Sequence, residues 1–193
     1  MFNHARGLWG YTGTAPDGAP LTIMSHGMGG PSAAIVVEEL CDLGLETLIR
    51  VGTCGALDPR LGVGELVAAT AVLAADGTSR ALGAAATLTP DAALTEQLVS
   101  RADHAGTVVS TDLFYDPEPA RPAAWRAAGA LVIEMEAATV LAVAARRGCR
   151  AACLLAVSDS APGAGERIGD EALEAAALRL GRAALDALVA AGC

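Results

Sequence analysis

A chain of 193 residues that is 53% hydrophobic but only 3% aromatic has material for one ordinary domain, with a core of Ala, Val and Leu and few large rings. Its formal net charge of -9, from 22 acids against 13 bases, argues against a nucleic-acid or anionic-membrane surface. Every base is an arginine, so lysine Schiff-base chemistry is excluded and each cationic site must be a permanently charged guanidinium.

Cys41, Cys54, Cys149, Cys153 and Cys193 include no Cys-x-x-Cys pair, so neither a disulfide framework nor a zinc site is implied. No basic-then-apolar leader opens the chain, and no run approaches the ~18 uninterrupted apolar residues of a membrane span. A reduced, cytoplasmic setting is the expectation.

In chain order, residues 7–25 alternate apolar and small polar side chains around Pro16-Asp17-Gly18, which predicts a hairpin. The segment His26-Gly27-Met28-Gly29-Gly30-Pro31-Ser32 then leads into a helix over 33–43, closed by Gly44. Residues 46–52 form the clearest buried strand, and its tip carries Arg50, Thr53, Cys54 and Gly55. An arginine inside such a run needs a partner or a ligand, either a buried Glu or a bound oxyanion. One or two strands follow over 63–75, then a small-residue loop and a helix over 91–104. Residues 108–115 read as a strand that ends in polar residues, followed by Phe114 and Tyr115. After a Pro-rich loop (116–122) and a helical turn (125–129), residues 130–133 form a short buried strand. That strand passes through Glu134, Met135 and Glu136 into a largely buried helix, 137–147. The last buried strand, 150–158, closes on Ser158-Asp159. A Gly/Pro-rich loop (161–165) and Glu166-Arg167 then precede a long helix over 170–190. Alternating strands and helices define a single α/β domain over 1–193, built as a three-layer αβα sandwich.

Two acids at the carboxyl end of a strand, beside a helix start, lie where α/β sheets bind ligands, and carboxylates suit a sugar diol. The plainer alternative is that they complement the helix dipole. Neither glycine-rich stretch fits a dinucleotide or P-loop fingerprint. The strand tips instead offer Arg50/Thr53, Phe114/Tyr115, Glu134/Met135/Glu136 and Asp159. These suit an anion, a flat ring, a diol and a proton donor, a set that a phosphate, a base and a ribose would meet together.

The motifs HGMGGPS (26–32), RVGTCGAL (50–57), STDLFY (110–115), VIEMEAAT (132–139) and VSD (157–159) occur in the order and approximate spacing of the nucleoside phosphorylase/uridine phosphorylase family. The chain most resembles the hexameric, bacterial-type purine nucleoside phosphorylases, over essentially its whole length. That resemblance implies a phosphorylase/hydrolase-like fold with a mixed central β-sheet. It also implies a pentosyltransferase that cleaves purine nucleosides by phosphorolysis to free base and (deoxy)ribose 1-phosphate, with inorganic phosphate as co-substrate and neither metal nor organic cofactor. Arg50 and Thr53 would hold phosphate, joined by Arg6 from a neighbouring subunit, so a dimer-based homo-oligomer, up to a hexamer, is implied. Glu136 would bind the ribose hydroxyls with Met135 and Met28 against the sugar and Glu134 close by. Phe114, Cys54, Gly55 and Ser158 would line the base. Asp159 would protonate purine N7, held protonated by burial, with Arg167 closing onto it.

Relatives of this kind carry a further N-terminal segment with one sheet strand and a glycine- and arginine-bearing phosphate loop. The resemblance begins after it, and a strand edge is expected to await cover by another chain. Three alternatives follow from these features: a uridine phosphorylase, a phosphate-independent nucleosidase, and a non-catalytic nucleoside-binding relic. The short interval between Tyr115 and Glu134, which lacks Gln, and the presence of Asp159 favour a purine over uracil.

Overall fold

The computed structural model describes Met1, residues 3–160 and residues 166–192. A hairpin of β1 (Gly10–Thr14) and β2 (Pro20–Met24) pairs antiparallel with Tyr11 opposite Ile23, turning at Pro16-Asp17-Gly18 as the sequence predicts. The main sheet contains β3 (Thr47–Ala56), β4 (Leu66–Ala74), β5 (Thr87–Leu88), β6 (His104–Ser110), β7 (Ala130–Glu134) and β8 (Arg150–Asp159) in the order β5-β4-β6-β7-β3-β8. It is mixed: β3–β8, β4–β6 and β6–β7 are parallel, whereas β4–β5, β3–β7 and β4–β8 are antiparallel. The β4–β8 pairing, Leu66↔Ala156 to Ala68↔Leu154, curls the sheet so that β4, β6, β7, β3 and β8 close on one another.

Helices cover both faces. Odd-numbered residues of β8 (Ala151, Cys153, Leu155, Val157) point towards α5 (Ala137–Arg147), packing with Val72, Val108, Val132, Ala138 and Leu141. Even-numbered ones (Ala152, Leu154, Ala156) meet α3 (Ala92–Val99) and α6 (Asp170–Ala190) through Leu94, Leu98, Leu180 and Ala187. This period of two on a strand buried on both faces is why β8 reads as one unbroken apolar run. Outside α5 lies α1 (Gly30–Asp42), where Ala33 and Val37 against Val140 and Val143 let the two helices approach closely. Two short helices, α2 (Gly77–Ala81) and α4 (Arg121–Ala127), complete the layers. Among the described residues, no helix is long and apolar enough to cross a membrane.

Several boundaries differ from the sequence reading. β3 runs on to Ala56, because its glycine-containing tip pairs with β8 and, at Gly55 and Ala56, with β7. The predicted helix over 91–104 stops at Val99. The Asp103 carboxylate and amide bond the backbone of Leu66 at 2.7 and 3.0 Å, which turns the chain into β6. That strand begins at His104 and ends at Ser110, so Phe114 and Tyr115 lie beyond it. The presumed loop before Asp91 contains α2, whose N-cap Asp76 accepts from the Ser79 amide at 2.7 Å, and the two-residue β5. The helical turn expected over 125–129 is a full helix from Arg121, with Pro122 in its first turn.

Gly30 marks where α1, α2 and α5 meet. A methyl group there would lie 2.6 Å from Thr139 Oγ1 and 2.9 Å from Thr78 Cβ. Thr139 cannot easily yield, since its hydroxyl donates to buried Asp76. Gly30→Ala should therefore destabilise the domain by about 1–3 kcal/mol through overpacking, read as a lower urea midpoint with the slope of the transition unchanged.

Candidate functional site

The carboxyl ends of β3, β6, β7 and β8 converge with the loop that leaves β2, and together they enclose a cavity of about 610 Å³. At its floor lies a buried ionic cluster. The Arg50 Nε and Nη2 donate to Glu134 Oε2 at 2.9 and 2.5 Å, and Nη2 also donates to Glu136 Oε2. Nη1 lies 3.3 Å from His26 Nε2. Space for the guanidinium is left by Gly52, two residues on along the same strand face, where a Cβ would fall 2.6 Å from Nη1. Of the two alternatives for Arg50, the buried-carboxylate partner is thus present, and the same side chain lines the cavity.

The two acids are placed differently. Glu134 is saturated from within the protein. Besides Arg50, it accepts from the Ser110 hydroxyl and from the amides of Glu136 at 2.9 Å and Ala137 at 3.0 Å. It therefore caps α5, whose first turn has no other side-chain acceptor at the N-cap, and Ser110 Oγ completes this by accepting from the Ala138 amide at 2.8 Å. Glu136 reaches the other way: its Oε1 accepts from the Gly29 amide at 2.5 Å, fastening the 26–30 loop across the cavity. Of these two acids, Glu136 is thus the one aimed at the loop.

Burial and partners shift these groups in opposite senses. Burial alone would lower the Arg50 pKa, but Glu134 and Glu136 outweigh it and raise the value above its ordinary range. Burial raises the Glu136 carboxyl above the usual carboxylate value against the pull of Arg50. For His26, burial and then the charge of Arg50 both lower the pKa, so the ring is neutral at pH 7. Cys54 and Cys153 are pushed up by burial, Cys153 to about 12, and behave as inert thiols.

Around the cluster, Thr53, Cys54 and Gly55 line one wall, and Met135 and Met28 another. Met28 is 87% exposed and Phe114 69%, so both stand at the mouth, with Tyr115 edge-on to Phe114 at a centroid distance of 4.9 Å. Ser158 Oγ lies within hydrogen-bond reach of the Cys54 carbonyl (3.2 Å) and Asp159 Oδ2 (2.7 Å). Arg167 Nε sits 3.6 Å from Asp159 Oδ1, and an isolated bridge joins the two residues. The sequence reading required Asp159 to be buried, but its side chain is 41% exposed and that of Arg167 82%, because this acid sits at the cavity mouth. Arg6 lies outside the cavity lining, in an exposed turn. Among the described residues it is the only non-glycine with positive φ, at 55°.

Three contributors escaped sequence reasoning. Ser110 opens the motif STDLFY and His26 opens HGMGGPS, so both were in view as letters, but only the fold brings them to Glu134 and Arg50. The Gly29 amide carries no side-chain signal at all. Among the described residues, no group of three or more His, Cys, Asp or Glu side chains is placed to hold a metal ion.

A mixed α/β sheet thus brings an Arg/Glu/Glu cluster, an Asp and apolar walls together around one cavity at its strand tips. Comparison with known proteins narrows this further: the phosphorylase superfamily profile matches residues 1–191, and the chain belongs to that superfamily. It is 44% identical over 148 residues to a guanosine phosphorylase of Halorubrum lacusprofundi, a match that spans 73% of this chain and 61% of the relative. A DeoD-type purine nucleoside phosphorylase of Geobacillus kaustophilus is 36% identical over 167 residues, 82% of this chain and 70% of the relative. The uridine phosphorylase of Escherichia coli is 35% identical over 162 residues, 73% and 64% of the respective chains. The match thus spans less than two thirds of the first and third of these relatives.

Because Glu134 holds β3, β6, β7 and α5 to one point, Glu134→Ala should cost about 3–5 kcal/mol by leaving the buried Arg50 undercompensated. Equilibrium unfolding in urea measures that loss. A change within a few tenths of a kcal/mol would remove Glu134 as the keystone.

Proposed function

We propose that this chain cleaves the N-glycosidic bond of purine nucleosides by phosphorolysis, releasing the free base and (deoxy)ribose 1-phosphate. The observation that carries the reading is the convergence of Arg50, Glu136 and Asp159 on one cavity with apolar walls. A phosphate oxygen forms the bond to C1′ while the electron pair of the C1′–N9 bond passes to the purine, whose N7 takes a proton from Asp159. Glu136 accepts hydrogen bonds from the ribose hydroxyls, Met28 and Met135 flank the sugar, and Phe114, Cys54, Gly55 and Ser158 border the base. Glu134 acts on the reaction only by positioning Arg50 and α5. No metal or organic cofactor takes part.

Two features support the phosphate role of Arg50 and Thr53. Among the described residues Nη1 of Arg50 meets only His26 Nε2, so one of its hydrogens remains for an oxyanion. Thr53 is exposed on the cavity wall three residues along β3. Asp159 stands half-exposed at the cavity mouth, where a purine bound over it would exclude water from the path of the proton. Arg167 then stabilises the carboxylate left after transfer.

One observation favours a second reading. The buried cluster contains one guanidinium and two carboxylates beside a neutral His26, so its formal charge is negative, which disfavours a phosphate dianion and suits water as nucleophile in a nucleosidase. Base release from guanosine, inosine, adenosine and uridine, with and without phosphate, separates the cases. Strict phosphate dependence with purines is expected. Phosphate-independent release would establish hydrolysis, preference for uridine would transfer the chain to the pyrimidine branch, and binding without release would mark a non-catalytic relic. Asp159→Asn should lower kcat/KM for purines by roughly 10²–10⁴-fold with nucleoside binding retained.

A homo-oligomer is part of the proposal. Trp9, Tyr11 and Ile23 are exposed on the β1–β2 hairpin, Tyr11 and Ile23 as a direct cross-strand pair, close in sequence to Arg6. Covering this apolar patch with a second copy would bring Arg6 to a neighbour's phosphate. Sedimentation velocity should show an even-numbered assembly that Ile23→Asp dissociates. A monomeric wild-type protein would overturn this part.

A further inference from the structure

Away from the cavity, the C-terminal end of α1 meets the junction between α5 and β8. Cys41, in the last turn of α1, and Cys149, one residue beyond the Gly148 that caps α5, face each other there with their sulfurs 3.4 Å apart. Both side chains are partly exposed, unlike Cys54 and Cys153 in the core. The same seam is clamped by Arg147, which donates to Glu38 at 2.9 Å and to Asp42, so the two backbones are held in register around the thiols. Cys149 also donates to the Leu45 carbonyl at 3.0 Å.

We infer that Cys41 and Cys149 form a reversible disulfide that locks α1 to the α5–β8 junction. An S–S bond is about 2.05 Å long, so the sulfurs must close by about 1.4 Å, a shift that rotation about the two Cα–Cβ bonds can supply. The step needs an oxidant, for which a small-molecule disulfide such as oxidised glutathione suffices. One protein thiolate attacks it, forming a mixed disulfide and releasing a first glutathione thiol. The second protein thiolate then displaces the other glutathione from the bridging sulfur. Two protein thiols are oxidised, the oxidant is reduced to two thiols, and the two protons lost from the protein appear on them. Burial and the neighbouring Cys149 push the Cys41 thiol up to about 11, so formation is slow at neutral pH and faster as pH rises.

The bond has a structural consequence for the loop at the other end of α1. That helix opens at Gly30, directly after Gly29, whose amide holds Glu136. A crosslink closing a loop of more than a hundred residues should raise Tm by roughly 10 °C.

Trypsin provides a clean readout, because without lysine it cuts only at arginine: Cys149 falls in residues 148–150 and Cys41 in residues 7–50. Incubation of the purified protein with oxidised glutathione should produce a peptide joining these two segments, a loss of two hydrogen masses and the rise in Tm, all reversed by dithiothreitol. Cys149→Ser should abolish the joined peptide. The proposal is overturned if both cysteines remain fully alkylatable after oxidation, if each stops as a glutathione adduct, or if either pairs instead with Cys193. Since mapping is done on the wild-type protein, poor folding of the Cys149→Ser variant would not obscure the result.

Discussion

The buried contact between Arg50 and the pair Glu134 and Glu136 is the constraint on which the rest of the site depends. Each of these three residues is at most 6% exposed. Charges withdrawn from water this far are tolerable only when paired and hydrogen-bonded, and the pairing here recruits four separate pieces of chain. Arg50 comes from β3, Glu134 from the end of β7, Ser110 from the end of β6, and Glu136 from the start of α5, with the Gly29 amide added from the loop before α1. A single guanidinium in the middle of β3 thus ties together the ends of β6 and β7 and the start of a helix.

The same arrangement divides labour between two acids that sequence alone cannot tell apart. Glu134 spends its lone pairs on Arg50, Ser110 and the first amides of α5, and so acts as a helix cap with a charged partner. Glu136 faces across the cavity to a loop. Because Gly29 contributes only backbone there, the wall opposite Glu136 is held by main chain, and the side chain of Met28 is left at the mouth. A site with few aromatic residues must therefore build its apolar walls from thioethers, glycine and small aliphatic groups.

Much of this was legible in the sequence, for physical reasons particular to each element. The apolar runs of β7 and β8 and the all-round apolar face of α5 follow from burial, which composition reports directly, whereas β3, read as the clearest buried strand, is only partly covered: within 46–52 Arg50 alone is buried and Val51 is 38% exposed. An arginine within such a run announced a partner or a ligand, and the structure supplies the partner in Glu134 and Glu136. The exposure of Asp159 was not legible, because whether a strand-end residue is covered depends on neighbours distant in sequence. Likewise the end of α3 was misjudged: residues 100–103 continue a helical pattern, but Asp103 is drawn to the Leu66 backbone. The curling of the sheet was invisible too, since antiparallel contact between β4 and β8 depends on register across almost ninety residues of intervening chain.

That curling gives β8 a neighbour on each side. Leu154, Leu155 and Ala156 pair at once with Val51, Gly52 and Thr53 of β3 and with Ala68, Val67 and Leu66 of β4. Local fraying cannot expose amides flanked by two ladders, so their hydrogen exchange with solvent requires the ring of strands to open as a whole. These three residues, only a few positions before Ser158 and Asp159 at the cavity mouth, are a built-in gauge of global stability.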